Sequence, residues 1–403
     1  MAETLHSGPF GCRVEKELMT YHNPHKKNGT ITTKVVCAVC FITFSFVWLY
    51  WFQADVLAVA QHVLSGGKTH YDRMLGAIII TVALFLVHLG VFAVTRLSRR
   101  THALTYLPSM LMLAILSDND IVANGTLSFG LRFWLVPLIL ALWVGAVWLA
   151  KQVLPFESDD KVPNGLFSRR VWQNLLQMAV MMLFVAVAGN SKAVFHFRAH
   201  AETALMRGDV DEVLRVGHQS LESDEALTML RVHALARKGE LGERLFEYPI
   251  VGNSETLLPT CPCSSLLILP ADTIWKSLGA RPAFRMPAHR YYYCLEHDSL
   301  ATPLVKDYVL CSHLIDRDLD AFVAVLPKYY EIDASLPRYY REALVLYQHT
   351  HAQPALTYHD PAIEEVWNDM RELEDAYSDP DERRLRVFEK YRDSYWFYYF
   401  YKP

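Results

Sequence analysis

"KVVCAVCFITFSFVWLYWFQAD", residues Lys34 to Asp55, decides the class of this chain. No side chain between those two ends carries a charge, and at about 1.5 Å of rise per residue the stretch can cross the roughly 30 Å hydrocarbon core of a bilayer. In lipid a backbone must satisfy its own N–H and C=O groups, so the stretch is expected to be a helix. Reading outward from 34–55, further apolar stretches follow at 75–97, 104–117, 131–150 and 171–190. The stretch at 104–117 is short and contains Pro108, so it reads either as a full crossing or as a re-entrant or interfacial segment. Residues 34–190 are therefore expected to form a transmembrane domain of four to five helices, after a polar segment at 1–33.

Hydrophobic residues make up 52 % of the chain, and the excess lies before residue 190. The net charge of −4 averages two unlike halves, and no basic block points to nucleic acid. Lysine and arginine are retained on the cytoplasmic side of a membrane, so their distribution bears on orientation. If all five stretches cross, one side receives Arg13, Lys16, Lys26, Lys27 and Lys34, then Arg96, Arg99 and Arg100, then Lys151, Lys161, Arg169 and Arg170. The other side receives only Lys68, Arg73 and Arg132 from the loops. That alternation favours five crossings, with everything after Gly189 outside the cytoplasm. No small-residue cleavage site follows the first apolar run, where Trp48 to Gln53 ("WLYWFQ") is bulky, so the first helix is expected to stay as an anchor.

Between the first two stretches, Val56, Leu57, Val59, Ala60, Val63 and Leu64 recur at helical spacing, and Gly66-Gly67 stops them. An interfacial amphipathic segment is expected there. "GGKT" at Gly66 to Thr69 is not a phosphate loop, because the glycine that motif needs five residues before Gly67 is His62. "FQADVLAVAQHVLSGGKTHYDR", "RRTHALTYLPS", "LIDRDLDAFVAVLPKYYEIDASLPRYYREALVLY" and "DSYWFYYFY" together resemble a domain-of-unknown-function family of multi-pass membrane proteins from the Bacteroidota. The resemblance covers both halves of the chain. It implies the membrane layout and supplies no catalytic residues.

Beyond "GNSK", Gly189 to Lys192, the pattern changes to paired helices. Ala201, Ala204 and Leu205 lead to a turn at Gly208-Asp209, Leu235 and Ala236 to one at Gly239-Glu240, and Ser223-Asp224 offers a cap between them. The glycine spacing lies close to the roughly 34-residue tetratricopeptide unit, although the full consensus is missing. A Pro-, Ser- and Cys-rich stretch from Val251 to Arg290 is expected to be irregular structure with short helices, and a further helical set follows. The fold class is thus all-α: a transmembrane bundle, then an irregular tetratricopeptide-like α-solenoid over 191–403.

Few constellations suggest chemistry. His196 and His200 lie four apart on the helix leaving the membrane, with Glu202 nearby, but no third convincing ligand joins them and no metal or cofactor is assigned. Cys261, Cys263, Cys294 and Cys311 form an even set in a half expected to be exported, so one disulfide is expected between Cys261 or Cys263 and Cys294 or Cys311. Buried thiols and a zinc site are the alternatives. Nucleophile-elbow, Walker and dinucleotide-binding signatures are absent, and the chain is not expected to be an enzyme. Tyr395, Trp396, Phe397, Tyr398, Tyr399, Phe400 and Tyr401 make an aromatic run, expected to dock on the protein's own helices or to contact the membrane or a partner. The leading expectation is a membrane-anchored helical-repeat scaffold in the bacterial inner membrane, its repeat surface binding a protein or peptide. The alternative is a polytopic transporter or membrane-face enzyme, with a polar cavity lined by His88, Asp55 or the histidines after the last span.

Overall fold

The structure is a computed structural model that describes residues 24–97, 99–121, 127–129, 135–153, 168–259 and 266–402. It divides into two units. The first, apolar unit holds Met1–Ala54, Tyr71–Asp120 and Ser128–Asn190, and the second holds Asp55–His70, Ile121–Leu127 and Ser191–Pro403. Helices build both, and a short two-stranded pairing of Asn119–Ile121 with Leu127–Phe129 interrupts the pattern.

Three helices of the apolar unit are long and apolar enough to cross a membrane: Ile31–Phe52, Arg73–Thr95 and Arg169–Ala188. The chain is that of an integral membrane protein. The first helix ends in a π-helical turn at Trp48–Phe52, where the Gln53 N–H reaches the Trp48 carbonyl at 3.0 Å. Asp72 caps the second by accepting the Leu75 N–H at 2.8 Å, and Ser168 caps the third by accepting the Val171 N–H at 3.3 Å. The helix Val136–Val153 is shorter. Aliphatic side chains face outward here, with Val94 80 % and Leu183 64 % exposed, while Ser45, Thr81, His88 and Asn174 are buried.

The segment containing Pro108 takes an unexpected form. A 3₁₀ helix over Arg99–Tyr106 leads into an α-helix over Leu107–Ser117, and Pro108 sits in the first turn of that helix. Its missing N–H costs nothing there, so the proline starts the helix instead of interrupting it. Polar contacts tie the whole segment to its neighbours. The Ala103 N–H donates to Asn174 Oδ1 at 2.8 Å, Ser109 Oγ to the Leu84 carbonyl at 2.8 Å, Trp48 Nε1 to Ser117 Oγ at 2.8 Å, and the Asn190 N–H to the Ser117 carbonyl at 2.7 Å. The segment thus runs beside the helix Arg169–Ala188 from near its start to just past its end.

In the second unit the helix Ala54–Ser65 ends at Gly66 and Gly67, both with positive φ. A succession of packed helices follows from Ala193–Arg207 through Glu225–Lys238 to Arg338–Thr350, Pro361–Asp375 and Pro380–Tyr391, a repetitive helical arrangement resembling a solenoid. Gly208 and Gly239 end two of these helices in the left-handed region. Asp209, Asp224, Asp318, Asp360 and Asp379 each cap the helix that follows. One continuous core joins Leu205, Leu230, Phe246, Tyr308, Tyr340, Leu344 and Trp396. The irregular stretch expected from Val251 to Arg290 contains a 3₁₀ turn at Ser254–Leu257 and a helix at Ala271–Leu278.

Candidate docking groove

The aromatic run forms a helix, Tyr395–Tyr401, that no periodicity announced. Ser394 starts it by accepting the Phe397 N–H at 3.1 Å. Glu342, buried on the helix Arg338–Thr350, holds it in place: one carboxylate oxygen accepts from Arg338 Nε and the other from the Tyr395 N–H, each at 2.7 Å. Trp396 Nε1 donates to the Glu342 carbonyl at 2.8 Å, so one residue receives both the start of the helix and its largest side chain. Burial pushes the Glu342 carboxyl up, opposed by Arg338 and the Tyr395 N–H. Tyr398 donates to the Ile315 carbonyl at 2.8 Å and Tyr401 to Glu374 at 2.6 Å. The Phe246 ring packs 5.1 Å from that of Tyr395 and 4.7 Å from that of Tyr398.

The seven aromatics therefore separate. Tyr395, Trp396 and Tyr398 are buried, Phe397, Tyr399 and Tyr401 half-buried, and Phe400 is 41 % exposed. The half-buried Phe397 and Tyr401, with Lys402, form one wall of a groove of about 530 Å³. Leu385 and Phe388 continue that wall, and Leu221, Val251 and Ile250 line the groove with them. Of these lining residues Leu221 is 65 % and Leu385 54 % exposed. Arg384, Arg392 and Lys402 supply cations, while Glu247, Asp381 and Asp393 supply carboxylates. Lys402 Nζ donates to the Gly252 carbonyl and to Tyr398 Oη at 2.8 Å each, and burial pulls its pKa down.

The stretch His218 to Ser220 also lines a second, more open hollow that includes Phe197, Asp211, Arg215 and Arg244. Arg231 fixes the two residues that lead into this stretch. Its buried guanidinium donates to the Val216 and Gly217 carbonyls at 3.2 Å each and lies over the Tyr248 ring at 5.0 Å. The groove thus combines apolar side chains with charges of both signs. Sequence reading missed Leu385, Phe388 and the His218 stretch, and the one available signal was that Leu385 and Phe388 are apolar beyond the buried Val387 and Tyr391 on a helix rich in charge.

Of the candidate metal pair, His200 is engaged by carboxylates. His200 Nδ1 lies 3.0 Å from Asp55 Oδ2 and its Nε2 lies 3.1 Å from Glu212 Oε1. Both ring nitrogens face carboxylates, so both bonds form only when the ring is an imidazolium. Those partners raise the pKa of His200, the Asp55 hydrogen bond most of all. Glu202 points elsewhere: its buried carboxylate accepts the N–H groups of Leu267, Ile268 and Leu269 at 2.7 to 2.9 Å. Among the described residues no group of three or more histidine, cysteine or acidic side chains is arranged to hold a metal. His88 stacks on Tyr106 with ring centroids 3.6 Å apart and has Thr105 Oγ1 at 3.2 Å.

Cys261 and Cys263 lie outside the described residues, so the expected disulfide falls partly on them. Cys294 and Cys311 carry free thiols, Cys294 half-buried and Cys311 buried beside the Tyr340 hydroxyl at 3.5 Å. Burial pushes the Cys311 thiol up, which lowers its reactivity.

No curated protein and no solved structure matches this chain. Residues 294–402, which carry the buried Glu342 anchor, the aromatic helix and one wall of the groove, match the model of a family of unknown function, DUF6057, so a domain of that family is present at the C-terminal side.

Proposed function

We propose that this protein is a membrane-anchored helical-repeat scaffold of the bacterial envelope, non-catalytic, that docks a protein or peptide segment in the groove walled by Leu385, Phe388, Phe397 and Tyr401. The observation that carries this reading is the 530 Å³ cleft whose rims hold exposed leucines and cations on rigidly anchored elements. Side chains of a bound segment would bury Leu221 and Leu385, and Arg384 and Arg392 would fix its carboxylates. The rival reading, a transporter or membrane-face enzyme, relied on His88 and Asp55 as cavity residues. His88 is packed against Tyr106, and Asp55 is engaged by His200.

The test is photo-crosslinking in native membranes from a reactive side chain placed at Leu385, with the exposed Val366 as the control position. A discrete partner captured at 385, absent at 366 and lost with Arg384→Glu, is the expected result. The same adducts from both positions, or none from 385, would remove the groove as a docking site.

We also propose that the chain crosses an inner membrane five times and places its helical-repeat unit in the periplasm, in keeping with its resemblance to a Bacteroidota membrane family. Support comes from the composite third segment. Eight 3₁₀ residues and eleven α residues, at about 2.0 Å and 1.5 Å of rise each, extend it to about 30 Å. The lysine and arginine alternation agrees. A reporter fused after residue 403 should be active only if exported, and activity of a cytoplasm-only reporter at that position would reverse the orientation.

A further inference from the structure

Three consecutive residues at the end of the helix Val305–Ile315 bond to two separate segments of chain that line the groove. The Ile315 carbonyl accepts the Tyr398 hydroxyl at 2.8 Å, and the Arg317 guanidinium donates to the Lys402 carbonyl at 3.1 Å, so both lining residues of the aromatic end are fixed here. Asp316 Oδ1 accepts the Ser254 N–H at 2.9 Å, which ties down the other segment, because the lining residues Ile250 and Val251 lie just before it. Arg317 takes φ +60° at this junction, a left-handed conformation uncommon for a residue with a side chain.

A pair of histidines meets the same junction. The rings of His289 and His313 stack with centroids 4.6 Å apart and planes within 16° of parallel. His289 Nε2 lies 3.3 Å from Asp316 Oδ2, the second oxygen of the carboxylate that holds Ser254, and its Nδ1 lies 3.5 Å from Ser312 Oγ. The Ser312 hydroxyl already donates to the Val309 carbonyl at 2.7 Å, so both ring nitrogens of His289 face acceptors and the ring fits as an imidazolium. His313 then lies face to face with a cation and must stay neutral. The shifts run the same way: the Asp316 hydrogen bond raises His289, while burial and then the charge of His289 lower His313. Glu255, from the turn Ser254–Leu257, and Asp318, ahead of the helix Leu319–Tyr329, also act on the pair, and Lys402 faces Asp316.

We propose that this pair is a proton-operated clasp on the groove: the lining is held when one of the two rings carries a proton, and it loosens when both do or neither does. A second proton sets two cations face to face at 4.6 Å and drives the rings apart. Loss of the last proton removes the cation that faces Asp316 and weakens the carboxylate's hold on the frame it shares with Ser254. The clasp is therefore most stable at about pH 6.5, the ordinary histidine value; stability falls as pH drops from there through the lowered value of His313 and as it rises through the raised value of His289. Regulation of docking by this clasp rests on the groove being the docking site.

Full-length protein in nanodiscs decides this by amide hydrogen exchange over residues 249–256, expressed as protection relative to unstructured peptide at each pH. Protection should peak at about pH 6.5 and fall several-fold on both sides. His313→Phe keeps a ring in the stack and should abolish only the acidic fall, and His289→Gln should abolish the alkaline one. His218 lines the groove as well and is the same in all three proteins, so only the limbs that the substitutions remove count. A flat profile in the parent, or limbs that persist in both variants, would overturn the proposal. Crosslinking from Leu385 should follow the same profile, and adducts that ignore pH while the protection varies would overturn it too. Capture of nothing from Leu385 at any pH would instead sink the docking reading, with the protection profile still deciding whether the clasp exists.

Discussion

The two units of this protein differ in what they turn outward. Both bury apolar side chains, Phe41, Leu84 and Met178 in the apolar unit and Leu230, Tyr340 and Trp396 in the helical-repeat unit, but the apolar unit also encloses Ser45, Thr81, His88, Thr105 and Asn174 while aliphatic residues such as Val94 and Leu183 face out. One sequence thus carries two answers to what the surroundings are. Where lipid surrounds a helix bundle, outward apolar groups cost nothing, and interior cohesion comes from close packing and hydrogen bonds such as Asn174 to Ala103. Where water surrounds it, removal of aromatic and aliphatic area drives assembly, and buried polar groups serve as anchors, as Glu342 does for the aromatic helix.

Trp396→Ala tests the water-driven half most severely. Deleting a fully buried tryptophan should cost about 3–5 kcal/mol, seen as faster amide exchange across Arg338–Thr350 and an earlier melting transition. Unchanged exchange in that helix would show that the aromatic run is not part of the core energetics.

In the apolar unit, Asn174→Leu adds hydrophobicity yet should destabilise, because it leaves the Ala103 N–H without its acceptor; about 0.6–2 kcal/mol is expected. The check is resistance of detergent-solubilised protein to unfolding by a denaturing detergent. A stabilised variant would mean that this interior obeys the same rule as the other.

A smaller effect should follow pH. The pKa of His200 is raised by Asp55 and Glu212, so its contribution is fully present below the unfolded value near 6.5 and is lost as pH rises through the raised folded value. Glu212 also faces Arg215 at 3.6 Å. Exchange in the helix Ala54–Ser65 should therefore quicken on going from mildly acidic to alkaline buffer, and His200→Gln should remove that dependence. His289 is raised by Asp316 and will add a separate slope, so the comparison is between variant and parent.

Leu183→Ala should change least, by about 0.5 kcal/mol or less in a bilayer, since the removed atoms touched solvent-equivalent lipid. A loss as large as that at Trp396 would show that Leu183 packs on protein, contrary to its exposure.

Much of this architecture is legible from residues alone. The long uncharged runs give the three membrane-length helices, and Asp360-Pro361 and Asp379-Pro380 start helices where side-chain caps and first-turn prolines say they should. The composite third segment was harder, because a proline within an apolar run reads as an interruption unless the helix start is known. The aromatic helix was not legible at all: seven aromatics in a row have no amphipathic period, and the deciding partner, Glu342, lies far away in sequence. The groove is hidden for the same reason, since its rims come from residues near 220, 250, 385 and 400. His200 shows the opposite case. Its spacing from His196 suggested one chemistry, and the fold gave it partners from two other helices.

The aromatic helix has one more consequence, for the order of events during synthesis. Lys402 reaches back to Gly252, Trp396 to Glu342 and Tyr398 to Ile315, so the core of the helical-repeat unit is closed by groups made long after most of its walls. Helices from Ala193 onward emerge with part of their apolar faces uncovered and must wait for residues near 400 before the structure can lock. A nascent chain arrested before Ser394 would present an open hydrophobic flank, a form that quality-control proteases recognise and that a folding helper would need to shield.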